Sequence, residues 1–84
     1  MGICMITFRS VTPAQQAELL LRRNGIFCTL GRTPRWMEEQ GCGYSVRILL
    51  ADAQSCAQLL REKGMMFRKV YLLRENGNAE ELAV

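Results

Sequence analysis

Two helix-length segments set among four apolar runs of strand length predict a two-layer α/β (α+β) sandwich, with both helices on one face of a sheet. The order is strand, helix, strand, taken twice. The second half faintly repeats the first: Ala17-Glu18-Leu19-Leu20 is echoed by Ala57-Gln58-Leu59-Leu60, each followed by a basic turn, a glycine and a strand. Each unit needs a right-handed crossover, and two such units interleave as a split sheet, the ferredoxin-like βαββαβ arrangement of four antiparallel or mixed strands. Strands one and three are then expected side by side and parallel at the centre. That would open the loop before strand three near the start of strand one, placing Cys42 close to Cys4.

Each element has its own signal. Cys4 to Arg9 alternates, with Cys4, Ile6 and Phe8 facing one way and Met5, Thr7 and Arg9 the other. Thr12-Pro13-Ala14-Gln15 reads as a capping box with proline at the first helical position. The helix carries Ala17, Leu20 and Leu21 on its buried stripe and ends where Arg22 and Arg23 meet the carbonyl end and Gly25 supplies a left-handed cap. Ile26 to Leu30 is the second strand, closed by Gly31. In the third, Tyr44, Val46, Ile48 and Leu50 alternate with Ser45, Arg47 and Leu49. Asp52 caps a second helix with Ala53, Cys56, Ala57 and Leu60 inward and Gly64 at its end, and a fourth strand lies within Met66 to Leu73. The expected domain is 1–75, followed by a polar tail over 76–84, frayed or a single helical turn.

At 84 residues and 49% apolar, the chain has room for one core and is not a disordered composition. It has no apolar run of bilayer length and no basic-then-apolar N-terminus, so a soluble cytoplasmic protein with no membrane partner is expected. The net charge of +3 is concentrated early: six of the eleven basic residues lie between Arg9 and Arg47, against three acids. This favours anionic partners weakly. The central strands expose no aromatic residues for stacking bases, so no nucleic acid is expected.

Cys4, Cys28, Cys42 and Cys56 are at least fourteen residues apart, which gives neither a redox pair nor a zinc spacing, and with no sign of export they are expected as free thiols. The chain has no histidine, so the usual general base and the commonest metal ligand are missing and the catalytic options are narrow; an enzyme is not expected, nor a cofactor or metal.

The chemistry concentrates in the thirteen residues Gly31 to Gly43, a long connection in a small domain. Gly41 and Gly43 leave the backbone around Cys42 free of bulk, with amide donors near a thiol that reacts as thiolate. Arg32 and Arg35 can lower its pKa, while Glu38 and Glu39 oppose this. Thr33 and Arg35 can hold an anion, or Thr33-Pro34-Arg35 is a plain rigid turn. The alternative for Cys42 is a small apolar residue continuing the inward parity of strand three. Cys28 and Cys56 read as core. Cys4 is a candidate resolving thiol for an oxidised Cys42.

Ile6-Thr7-Phe8 with Ser10, Asn24-Gly25-Ile26, Thr33-Pro34-Arg35, and Cys42-Gly43 before Val46-Arg47-Ile48 together resemble the small bacterial family of selenium/sulfur (Se/S) carrier-like proteins over roughly the first fifty residues. The resemblance implies a cytoplasmic protein whose Cys-Gly cysteine, here Cys42, carries sulfur or selenium as a persulfide or selenylsulfide between a donor and an acceptor protein. Arg35, Thr33, Arg32 and Gly43 would surround the anion. Where serines commonly precede the cysteine in such proteins, Glu38-Glu39-Gln40-Gly41 stand here. A reading from another class is a non-catalytic interaction or ligand-sensing module that forms a homodimer through the open sheet face.

Overall fold

The computed structural model describes residues 2–34, 43–75 and 77–83. Along the chain run β1 (Ile3–Phe8), α1 (Val11–Arg23), β2 (Cys28–Arg32), β3 (Tyr44–Leu49), α2 (Ala53–Glu62), β4 (Val70–Leu73) and β5 (Ala79–Leu82), with a 3₁₀ turn over Leu50–Asp52 leading into α2. The five strands form one sheet in the order β2-β3-β1-β4-β5, and every neighbouring pair is antiparallel.

β1 and β3 are adjacent at the centre, as the sequence suggests, but they run antiparallel, which corrects the expected parallel pair. The reason is geometric. The α1 crossover returns the chain in its original direction one strand-width too far, and β3 fills the gap between β1 and β2, opposite in sense to both. β1 fills the corresponding gap between β3 and β4.

Alternation along the strands sends Cys4, Ile6, Phe8, Cys28, Val46, Ile48 and Val70 to one face. There they form one core cluster with Ala14, Ala17 and Leu21 of α1 and Ala53, Cys56 and Leu60 of α2, so both helices cover the same face of the sheet. Small residues on the helices let them approach the strands closely, and Phe8, Ile6, Leu21, Ile48 and Leu60 fill the space between. Among the described residues no helix is long and apolar enough to cross a membrane.

The C-terminal end of each helix follows its glycine. Gly25 (φ 76°) donates its N–H to Arg22 O at 3.0 Å and Ile26 donates to Leu21 O at 3.0 Å; Gly64 (φ 70°) and Met65 repeat the pattern onto Arg61 O and Leu60 O. These are Schellman closures, which need a residue free to take positive φ. The start of α1 differs from expectation. Its N-cap is Ser10 rather than Thr12, no side chain closes the cap, and Pro13 sits in the first turn, where a backbone N–H has no helical acceptor.

The C-terminal segment is also corrected. Residues 79–82 are not a frayed tail but an edge strand on β4, in register Val70↔Leu82 to Leu73↔Ala79. Gly77 (φ 87°) allows the reversal, and Arg74 N–H donates to Asn78 O at 2.7 Å. Arg74 pairs with Glu80, Lys69 pairs with Glu81 at 3.5 Å, and Leu82 packs on the core. An edge strand keeps its charges in water, so its sequence looks like a tail. Deleting residues 76–84 is expected to lower the unfolding free energy by about 2 kcal/mol, the value of a partly buried leucine and a strand ladder. Urea denaturation measures this, and an unchanged midpoint would mean that β5 contributes nothing.

Candidate functional site

The end of the sheet where β2 finishes and β3 begins brings two predicted site residues together. β2 and β3 pair from Cys28↔Ile48 to Arg32↔Tyr44. Thr33 N–H then donates to Gly43 O at 3.0 Å, extending the same register by one step. Thr33 and Gly43 are both buried at this end of the ladder. Arg35 and Cys42, the residues expected to carry most of the chemistry, lie outside the described residues, as do Trp36, Met37, Glu38 and Glu39.

Arg32 falls elsewhere. Alternation puts it, with its partner Tyr44, on the helix-facing side of the sheet, where its guanidinium lies 5.8 Å from the Tyr44 ring centroid. Thr33 is on the opposite side. The two do not converge on one anion in this arrangement, because successive strand residues point to opposite faces.

Cys4 is also displaced from its expected place. Tyr44 pairs with Phe8 at the end of β1, whereas Cys4 pairs with Ile48, four residues back along the strand. That is about 13 Å at the usual rise per strand residue. The parallel pairing that put Cys4 beside the loop does not occur, and the Cys4 side chain is fully buried in the core. Burial pushes its thiol pKa up.

The outer face, away from the helices, forms three rows. Phe27, Leu49, Ile3, Leu73 and Ala79 make an apolar row at one end; Thr29, Arg47, Met5, Tyr71 and Glu81 lie in the middle; Gly31, Ser45 and Thr7 lie next to the Thr33–Gly43 pair. This face is less open than its composition suggests, since Met5, Thr7 and Ser45 are each at most 4% exposed. Thr7 Oγ1 is fully engaged, accepting Lys69 N–H at 3.1 Å and donating to Lys69 O at 3.2 Å. The hydroxyls of Thr33 and Ser45 are buried and have no hydrogen-bond partner. Ser45 is a site candidate that sequence reasoning passed over. Its strand parity was the available signal; its unpaired hydroxyl was not visible there.

With this geometry in hand, comparison with protein families finds a match over residues 3–72 to the family described as Putative Se/S carrier protein-like. The chain belongs to this family. The match runs past the first fifty residues and ends inside β4, so it takes in both βαβ units and leaves out β5. No curated protein and no solved structure matches the chain.

In this Se/S carrier-like chain the three described thiols share one environment. Cys4, Cys28 and Cys56 are free and at most 3% exposed. Among the described residues no group of three metal-ligating side chains is placed to hold an ion. Cys56 is pushed up to about 12, first by burial and then by Asp52 and the neighbouring thiols Cys28 and Cys4. Cys28 is raised by burial, which outweighs the lowering effect of Arg22, and its Sγ donates to Glu18 O at 3.6 Å. None of the three is held as a thiolate near neutral pH.

A thiol whose pKa is higher in the folded chain is neutral in both states below its ordinary value of 9.0. Between there and about 12 the unfolded chain alone gives up the proton, so stability is lost as pH rises through that window. The urea midpoint is therefore expected to hold steady up to about pH 9 and then fall, with a shallower fall in Cys56→Ala. An equal alkaline slope in that variant would remove Cys56 as the cause.

Proposed function

We propose that the chain is a sulfur or selenium carrier rather than an enzyme, with Cys42 as its carrier thiol. The observation that supports this most is the family match over 3–72, taken with the burial of the other three cysteines. Cys42 immediately precedes Gly43, where the sheet ends. In the proposed step the Cys42 thiolate attacks the outer sulfur of a donor protein's cysteine persulfide. The donor S–S bond breaks, its electron pair leaves with the donor thiolate, and Cys42 keeps the sulfur as a persulfide. With selenium in the outer position, the same displacement gives a selenylsulfide. An acceptor nucleophile then removes the atom and restores the thiolate, so the two transfers need no oxidant or cofactor.

Thr33, Gly43 and Arg35 are the proposed surroundings of the transferred anion. Arg32, stacked on Tyr44, would contribute charge from the far side of the sheet. The fold behind the site is read as ferredoxin-like with a fifth strand added, and a reducing, cytoplasmic setting suits free thiols. Incubation with a cysteine desulfurase and cysteine is expected to add one sulfur mass to the protein, lost in Cys42→Ser and kept in Cys28→Ser. No adduct under conditions that load a known carrier would overturn the reading.

A second reading, self-association through the outer sheet face, is favoured by the apolar row. Phe27 is 71% exposed and Ile3 38%, and with Thr29, Arg47, Ile48 and Leu49 they line an open hollow. Sedimentation at increasing concentration is expected to show a dimer that Phe27→Glu weakens without affecting sulfur loading. A monomer at every concentration would end this reading.

A further inference from the structure

The two unpaired hydroxyls are close together. Thr33 is opposite Gly43, and Ser45 is two residues further along β3 on the same face, so Thr33 and Ser45 are diagonal neighbours across the ladder. Such pairs lie about 7–8 Å apart, leaving room for one small group between their hydroxyls to bond to both. Gly31, directly opposite Ser45, leaves the floor between them hollow: a Cβ there would meet nothing within 4 Å.

Ser45 is 1% exposed and Thr33 8%, and neither hydroxyl has a partner. Serine and threonine in strands ordinarily satisfy their hydroxyls on nearby backbone, and a buried polar atom left unpaired is destabilising. Thr7, the third hydroxyl of the patch, shows the contrast, being bonded twice to Lys69. Two such groups beside the open space at Gly31 indicate a ligand with acceptor atoms.

Charge decides which kind. Arg47 lies two residues from Ser45 on the same face and has no ion-pair partner among the described residues, whereas the acid on that face, Glu81, is paired with Lys69. Among the described residues no unpaired carboxylate shares this face with the two hydroxyls. We propose that Thr33 and Ser45, over the hollow at Gly31 and in the field of Arg47, form a binding site for a small oxyanion of sulfur or selenium. The choice of ligand rests on the carrier reading; the site itself rests on the hydroxyls.

The test is an amide NMR titration of the full chain with sulfite and, separately, with phosphate. Saturable shifts at Thr33, Gly43 and Ser45 are expected with sulfite. Binding should weaken about tenfold in Ser45→Ala and in Thr33→Val, as for loss of one hydrogen bond to a charged group, and less in Arg47→Gln. Sulfite should raise the melting temperature of the wild type more than that of Ser45→Ala. Phosphate that binds as well as sulfite supports the site and shows that it recognises oxygens rather than the chalcogen. Sulfite binding and sulfur loading are read on the same wild-type protein: loading without sulfite binding overturns this inference alone, and sulfite binding without loading overturns the carrier reading alone. Shifts that do not saturate, or that persist undiminished in both hydroxyl variants, overturn it.

Discussion

The antiparallel pairing of β1 with β3 governs the rest of the molecule. It occupies the gap left by each helical crossover, so the two βαβ units hold each other in place and neither forms a sheet alone. It fixes the parity of both central strands, sending Cys4, Ile6, Phe8, Val46 and Ile48 to the helices and Met5, Thr7, Ser45 and Arg47 to the outer face. It also sets where the Thr33–Gly43 pair lies. Because Tyr44 pairs with Phe8, β3 begins where β1 ends, and the Thr33–Gly43 pair is at the opposite end of the sheet from Ile3 and the apolar row.

That polarity divides the outer face by chemistry. At the Thr33–Gly43 end the row consists of glycine and hydroxyl side chains, small enough for close approach and able to hydrogen-bond. At the other end Phe27, Leu49, Ile3 and Leu73 form an apolar strip suited to a protein surface.

The thiols divide in a similar way. Three of the four cysteines serve as small core residues where the helices meet the sheet, and each is more weakly acidic for being there. A core cysteine packs well and resists ionisation. The fourth, Cys42, lies outside the described residues.

Much of this was legible in the sequence because it depends on local spacing. Alternation located β1 and β3, the two helical stripes gave the buried faces of α1 and α2, and Gly25 and Gly64 marked helix ends through their need for positive φ; the run Ile26 to Leu30 found β2 only in part, since that strand is Cys28–Arg32 and continues through Gly31 instead of closing there. The core roles of Cys28 and Cys56 followed from the same periodicities. What depended on partners far along the chain was not legible. The direction of β3 relative to β1 is set by the interleaving of two crossovers, and the strand character of Ala79–Leu82 comes from the free edge of β4. The separation of Arg32 from Thr33 and the unpaired hydroxyl of Ser45 likewise emerge when β3 is laid against β2, because a strand's neighbours decide which side chains meet. Sequence periodicity specified the elements and their buried faces; long-range pairing decided their direction, the sheet's fifth strand and which polar groups lie side by side at its end.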